Sequence, residues 1–321
     1  MATRKRISGR RLIHQVGTGF VIGLIVMGFV LQFMPRLASP RPYVVTVGLG
    51  PVRSFDAVPS DMSDAWLARS FPVGPSDPFN ALYRISVQAP DTDFRLLTFL
   101  DLVQSPCILD GVQAASHDVV VARDSDRTMR LQVPSAVHAR ELLALLIWRP
   151  SWHGSKPEER AYTDGAFFSA RRVLLGPGQG RLSASVAPTT EPLTIDGFDG
   201  VIVNTTRTAP TEMPTQIIAP GGEILTLFAH IGNPWGNAVE VGLIALVDFV
   251  QVPLRAETLH QTVMIGPGRL ATIPLEIRMP TTPPPHELML MRVDGPGTDG
   301  QGYRLTDDGV TVSMRVQLVS Q

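Results

Sequence analysis

The sequence predicts an all-β protein: two tandem β-sandwiches following one N-terminal transmembrane α-helix. Three observations carry that expectation. An uncharged apolar run, Val16–Met34, stands behind a basic arm. From Tyr43 onward, short stretches rich in Val, Leu, Ile and Phe are bounded by Pro, Gly, Asp or Ser, the pattern of strands and turns. One motif occurs twice: Phe99–Pro106 reads FLDLVQSP and Leu246–Pro253 reads LVDFVQVP.

Composition agrees. The chain has 321 residues, enough for two domains and too many for one ordinary sandwich. Apolar residues make up 44%, so real cores can form, and 28 Gly with 28 Pro favour many turns over helical bundles. Lys5 and Lys156 are the only lysines, which reads as a GC-rich, bacterial coding bias. A net charge of −1 speaks against a polyanionic partner, so no nucleic acid is expected. Cys107 is the single cysteine; it allows no intrachain disulfide and, beside Ile108 and Leu109, is expected to be buried.

Taken in order, residues 1–11 form a basic cytoplasmic arm with Arg4, Lys5, Arg6, Arg10 and Arg11. Residues 12–35 are the transmembrane helix, in contact with membrane lipid. The apolar run spans about 28 Å as a helix, close to a bilayer's hydrocarbon thickness. Pro35 ends it. The basic excess before the helix places the N-terminus inside and the rest of the chain outside, periplasmic or extracellular. A cleaved signal peptide is the rival reading, but residues near Ala38 make a poor cleavage site. Gly19 and Gly23 have the GxxxG spacing of a helix-pairing face.

Residues 36–42 read as a stiff spacer, 43–178 as the first sandwich, 179–191 as a linker and 192–321 as the second sandwich. One short helix is expected at Ser60–Arg69, capped by Ser60 or Asp61. Leu182–Val186 is expected to be a strand, and Gly-Pro-Gly turns punctuate the second half.

The repeated motif extends to its neighbours. Leu131–Pro134 faces Ile277–Pro280, Glu141-Leu142 faces Glu287-Leu288, and Ser169 and Arg171 face Ser313 and Arg315, with small drifts in spacing. Loops tolerate such length changes, so this is the trace of a duplicated domain. Within it Asp101, Gln104 and Pro106 correspond to Asp248, Gln251 and Pro253. The motif reads as the central strand of each copy. A carboxylate inside an apolar strand must point outward or bond a nearby backbone N–H, so each Asp is read as structural.

The second copy, through Asn233, Val247-Asp248, Ile265–Gly268 and His286–Asp294, resembles a CARDB-type domain over roughly residues 215–319, and the first copy resembles it more distantly. In that family Gly follows the strand Asp, where this chain has Leu102 and Phe249. The resemblance implies Ig-like, fibronectin III-like extracellular sandwiches used for binding or spacing, with no catalytic residues.

The remaining constellations point to no chemistry. His14, His117, His138, His153, His230, His260 and His286 lack zinc-site spacing, and the acidic loops at Asp91–Asp93, Asp124–Asp126 and Asp196–Gly200 read either as Asx turns or as oxygen-lined calcium loops, none matching a full EF-hand. No nucleophile elbow, phosphate loop or dinucleotide fingerprint occurs, so no cofactor, metal or catalytic residue is assigned. Trp148, Arg149, Trp152 and Trp235 have the composition of partner contacts. The expected function is a non-enzymatic, membrane-anchored protein binding or scaffolding another membrane or envelope protein. The alternatives are an accessory subunit of a respiratory, transport or secretion complex, and an enzyme with a loop-built site.

Overall fold

The structure, a computed structural model, describes residues 44–320 except 75–76, 89–91, 135–138, 149–167, 177–187, 194–196, 209–213, 284–285, 297–308 and 314. The basic arm, the helix at 12–35 with Gly19 and Gly23, Arg149, Trp152 and the Leu182–Val186 strand lie outside the described residues. Among those described, no helix is long and apolar enough to cross a membrane.

Four antiparallel-dominated sheets make up the rest. The first sandwich has an outer sheet ordered β1 (Val44–Val52), β2 (Phe79–Gln88), β8 (Ser125–Val133), β5 (Cys107–Leu109) and β6 (Val112–Ala114). Its inner sheet is ordered β10 (Phe168–Leu174), β9 (Glu141–Trp148), β3 (Thr92–Leu100) and β4 (Val103–Gln104), with β7 (Ser116–Val121) also on β3. The second sandwich repeats the plan. Its outer sheet is β11 (Thr189–Pro192), β18 (Arg269–Arg278), β14 (Ile224–Asn233) and β12 (Val201–Asn204). Its inner sheet is β13 (Gln216–Ala219), β21 (Val316–Ser320), β19 (His286–Asp294), β15 (Val239–Val247) and β16 (Val250–Val252), with β17 (His260–Ile265) on β15 and β20 (Val310–Val312) on β19. Thus β3, β4, β7, β8 and β9 correspond to β15, β16, β17, β18 and β19. Even the parallel edge recurs: β13 lies parallel to β21, and Ser70 bridges Leu174 in parallel.

Strand registers correct two details of the repeat. Three residues separate β7 from β8, and three separate β17 from β18, so Leu131 corresponds to Leu275 rather than to Ile277. The linker read at 179–191 ends in β11, which pairs with Arg269–Thr272 of the second sandwich.

The motif itself is not one central strand. In each copy it is a strand end, a two-residue turn and a short return strand. Leu100 pairs with Val103 and Val247 with Val250, leaving Asp101-Leu102 and Asp248-Phe249 as the turns. All four turn residues have positive φ: 47° and 70° in the first copy, 50° and 68° in the second. Those are the signs of a type I′ hairpin turn, whose second position normally takes Gly. The sequence reading missed the turn because apolar Leu102 and Phe249 stand there. It also passed over the β5–β6 hairpin, whose Asp110-Gly111 turn is the usual signal for one.

The helix is shorter than expected: α1 spans Ser63–Leu67, and Asp61 Oδ1 accepts from Ser63 N at 2.9 Å and Ser63 Oγ at 2.6 Å. It docks Trp66 on β1, where a Cβ on Gly48 would lie 2.9 Å from the indole.

Side chains alternate between three apolar clusters. On β9, Leu142, Ala144, Leu146 and Trp148 enter the first core, while Leu143, Leu145 and Ile147 point the other way. On β15, Leu243 and Ala245 enter the second core, while Ile244 and Leu246 point away. The away-facing side chains of both inner sheets form the third cluster together. Residues Val44–Gln321 are therefore one unit of four layers, outer–inner–inner–outer. Sheets buried on both faces explain why Leu142–Trp148 is continuously apolar instead of alternating.

Candidate functional site

The side chains with unusual chemistry gather along the seam between the inner sheets and at the ends of β9 and β19. The turn aspartates organise the near end. Asp101 N donates to Glu141 O at 3.1 Å, and Asp101 Oδ1 accepts from Arg140 N and Glu141 N, both at 3.0 Å. Asp248 N donates to Glu287 O at 3.0 Å, and Asp248 Oδ1 accepts from Glu287 N at 2.9 Å. Each carboxylate thus ties its turn to the start of the neighbouring strand.

Asp248 does one thing more. Its Oδ2 lies 2.5 Å from His286 Nδ1, while His286 Nε2 lies 3.0 Å from Thr282 O and 3.1 Å from Thr282 Oγ1. An Asp–His–Thr row has the outline of a hydrolase triad, but the ring faces a carboxylate on one nitrogen and a carbonyl on the other. When protonated, the ring finds an acceptor at each nitrogen and ties Asp248 to Thr282. Its pKa follows: burial alone pushes it down, but the hydrogen bond to Asp248, the Thr282 carbonyl and the Asp248 charge hold it above the usual value.

Across the seam the two copies meet in a pseudo-two-fold arrangement. Gln104 N donates to Gln251 Oε1 at 2.6 Å, and Gln251 N donates to Gln104 Oε1 at 2.7 Å. Gln104 Nε2 donates to Phe249 O at 3.1 Å, and Gln251 Nε2 donates to Leu102 O at 2.9 Å. Such reciprocity is the mark of an isologous interface, here built inside one chain. Two buried ion pairs follow the same symmetry. Arg172 holds Glu141 at 2.5 Å and donates to Asp294 O and Gly295 O of the other copy. Arg315 lies 3.5 Å from Glu287 and donates to Trp148 O of the first copy at 2.7 Å. Arg172, not Arg171, is therefore the counterpart of Arg315; Arg171 Nε donates to Val47 O instead.

Arg292 is fully buried at the far end of β19. It forks onto Asp294 at 2.7 and 3.0 Å, meets Asp199 Oδ1 at 2.8 Å and donates to Gly232 O at 2.8 Å. Burial pushes the Asp294 carboxyl up, against the pull of Arg292. Asp199 Oδ2 also accepts from Trp235 Nε1 at 3.1 Å, so Asp199 joins this arginine to the Trp235 loop.

Of the expected partner contacts, Trp148 is displaced: it is buried in the first core, stacked on Phe94 with centroids 6.0 Å apart. Trp235 is exposed and its loop is held by Asn233, whose Nδ2 donates to Asn237 O, Ile265 O and Gly266 O. Pro106 and Pro253 lie just past the return strands, each followed by a fully buried residue, Cys107 or Leu254. The roles of Arg172, Arg292, Arg315, Glu141 and Glu287 went unread in the sequence; charges set at the ends of apolar runs were their only signal. Among the described residues, no three His, Cys, Asp or Glu side chains gather as a metal site requires.

No family model matches the chain, and no curated protein does. Solved structures do. A CARDB domain from Pyrococcus furiosus, determined in complex with di-metal ions, is similar at 12% identity and a TM-score of 0.27, covering 42% of this chain and 96% of that one. It belongs to the family that residues 215–319 resemble. Red sea bream transglutaminase is similar at 9% identity and a TM-score of 0.22, over 86% of this chain and 31% of that one. The native E. coli alpha-2-macroglobulin is similar at 9% identity and a TM-score of 0.27, over 86% of this chain and 17% of that one. This chain thus spans less than a third of the latter two.

Proposed function

We propose that this chain is a membrane-anchored, extracytoplasmic protein whose two Ig-like sandwiches form a stiff, non-catalytic block for protein binding or scaffolding at the cell envelope. The observation that supports the reading is the seam. Reciprocal glutamine ties, two buried ion pairs and a shared apolar cluster join the copies face to face, where beads on a flexible tether would leave both faces exposed. The anchor rests on Val16–Met34, and the outward orientation on the basic arm before it.

Membrane fractionation of the full chain tests the anchor: it is expected to stay with membranes through alkaline washing and to expose its C-terminal half to protease on the outer side. Release by the wash, or protection from protease, overturns the placement. Purification in mild detergent then tests the role. Recovery of stable companions supports binding or scaffolding, and their identity separates a free-standing scaffold from an accessory subunit of a larger complex. A chain that purifies without companions argues against both.

A further inference from the structure

The seam is symmetric in its hydrogen bonds but not in its packing, and the departure falls on two pairs of corresponding positions. Strand pairing places Arg95 on β3 where β15 has Gly242, and the turns carry Leu102 in one copy and Phe249 in the other. Leu102 packs on Gly242 so closely that a Cβ there would sit 2.5 Å from Leu102 Cδ1. At the related place the Phe249 ring lies under the Arg95 guanidinium, 4.8 Å from centroid to Cζ, with Arg315 5.5 Å from the same centroid. One side is a knob on a bare backbone; the other is a ring beneath a cation.

We propose that the seam is built to join unlike copies of the domain, and that Arg95, Leu102, Gly242 and Phe249 make the choice. Two first copies brought together through this face would set Leu102 against Arg95 on both sides of the axis. The guanidinium would lose its aromatic partner, and the leucine would lose the space that only glycine leaves. Two second copies would set Phe249 on Gly242 on both sides, giving a large ring the gap that a leucine already fills. Only the mixed pair satisfies both positions. Selectivity is a difference between affinities, and here each like pairing carries its own misfit. The hydrogen bonds do not discriminate, since Gln104 and Gln251 are equivalent. The face is therefore matched to the other half of the same chain and mismatched to its own kind. In a membrane crowded with copies this favours closure within each chain over cross-pairing of like halves.

The test uses the full chain in mild detergent, with the unfolding midpoint as the readout. Exchanging only the turn residues, Leu102→Phe with Phe249→Leu, is expected to lower the midpoint sharply. Adding Arg95→Gly with Gly242→Arg moves each partner position along with its turn and is expected to recover much of the loss. A four-residue exchange no more stable than the two-residue exchange overturns the proposal. If the two-residue exchange fails to fold, the single-site cycle decides. Gly242→Ala is expected to lower the midpoint in the native background and to have little effect beside Leu102→Ala. Simple additivity of those two changes overturns the proposal as well.

Discussion

At the scale of single residues, the chain accepts local cost where the cost places a side chain. Holding Leu102 or Phe249 in the left-handed region costs about 1–2 kcal/mol each. Full burial of such a side chain is worth about 1.5–3 kcal/mol, which offsets it, and both are buried in the seam. Glycine would relieve the backbone and leave a hole. The same weighing applies to His286. Its pKa is raised, so its contribution to stability is complete below the unfolded value of about 6.5 and is lost as pH rises through the folded value. His230 and His260 are pushed down, first by burial, so their contributions run the other way and are lost on acidification. Replacing His286 with Gln is therefore expected to cost about 1–2 kcal/mol at about pH 6 and much less at about pH 9. Thermal unfolding of the variant and the parent at both pH values measures it; an equal loss at the two would show that no cationic tie exists.

At the scale of elements, the repeated hairpin is the unit that joins the copies. Its return strand is too short to make a ladder across the seam, so glutamine side chains complete the backbone hydrogen bonding there. Removing one amide leaves the opposite N–H without its acceptor, at about 1–3 kcal/mol. In Gln104→Ala the amide of Gln251 is expected to exchange with solvent faster, and in Gln251→Ala the amide of Gln104. Hydrogen exchange followed residue by residue reads this directly, and an effect confined to the mutated copy would contradict the reciprocal tie. The duplication, the Asp, Gln and Pro marks and most strands were legible in the sequence because alternation and turn residues are local signals. The hairpin inside the motif was not legible. Its turn carries Leu102 and Phe249, chosen by a surface on the other copy that no local pattern records.

At the scale of the whole molecule, the four-layer stack turns two domains into one cooperative body. A single calorimetric transition is expected for the described unit. Leu246→Asp sets an unpartnered carboxylate in the seam, away from the second core. It is expected to split unfolding into two transitions while strand content, read by circular dichroism, stays unchanged. Two transitions already present in the parent would show that the sandwiches are energetically independent.

The sequence by itself determined that the chain is a strand-rich duplicate and where its apolar faces alternate, because periodicity and turn chemistry act within a few residues. It could not determine that the two inner sheets pack on each other. A continuous apolar run such as Leu142–Trp148 records burial on both faces without naming what covers the second. Only the tertiary structure decided that the cover is the other copy. It also decided that Arg172 rather than Arg171 joins the seam, that Trp148 belongs to the core, and that each motif aspartate closes a hairpin turn, since those outcomes depend on partners from 39 to 123 residues away in the chain.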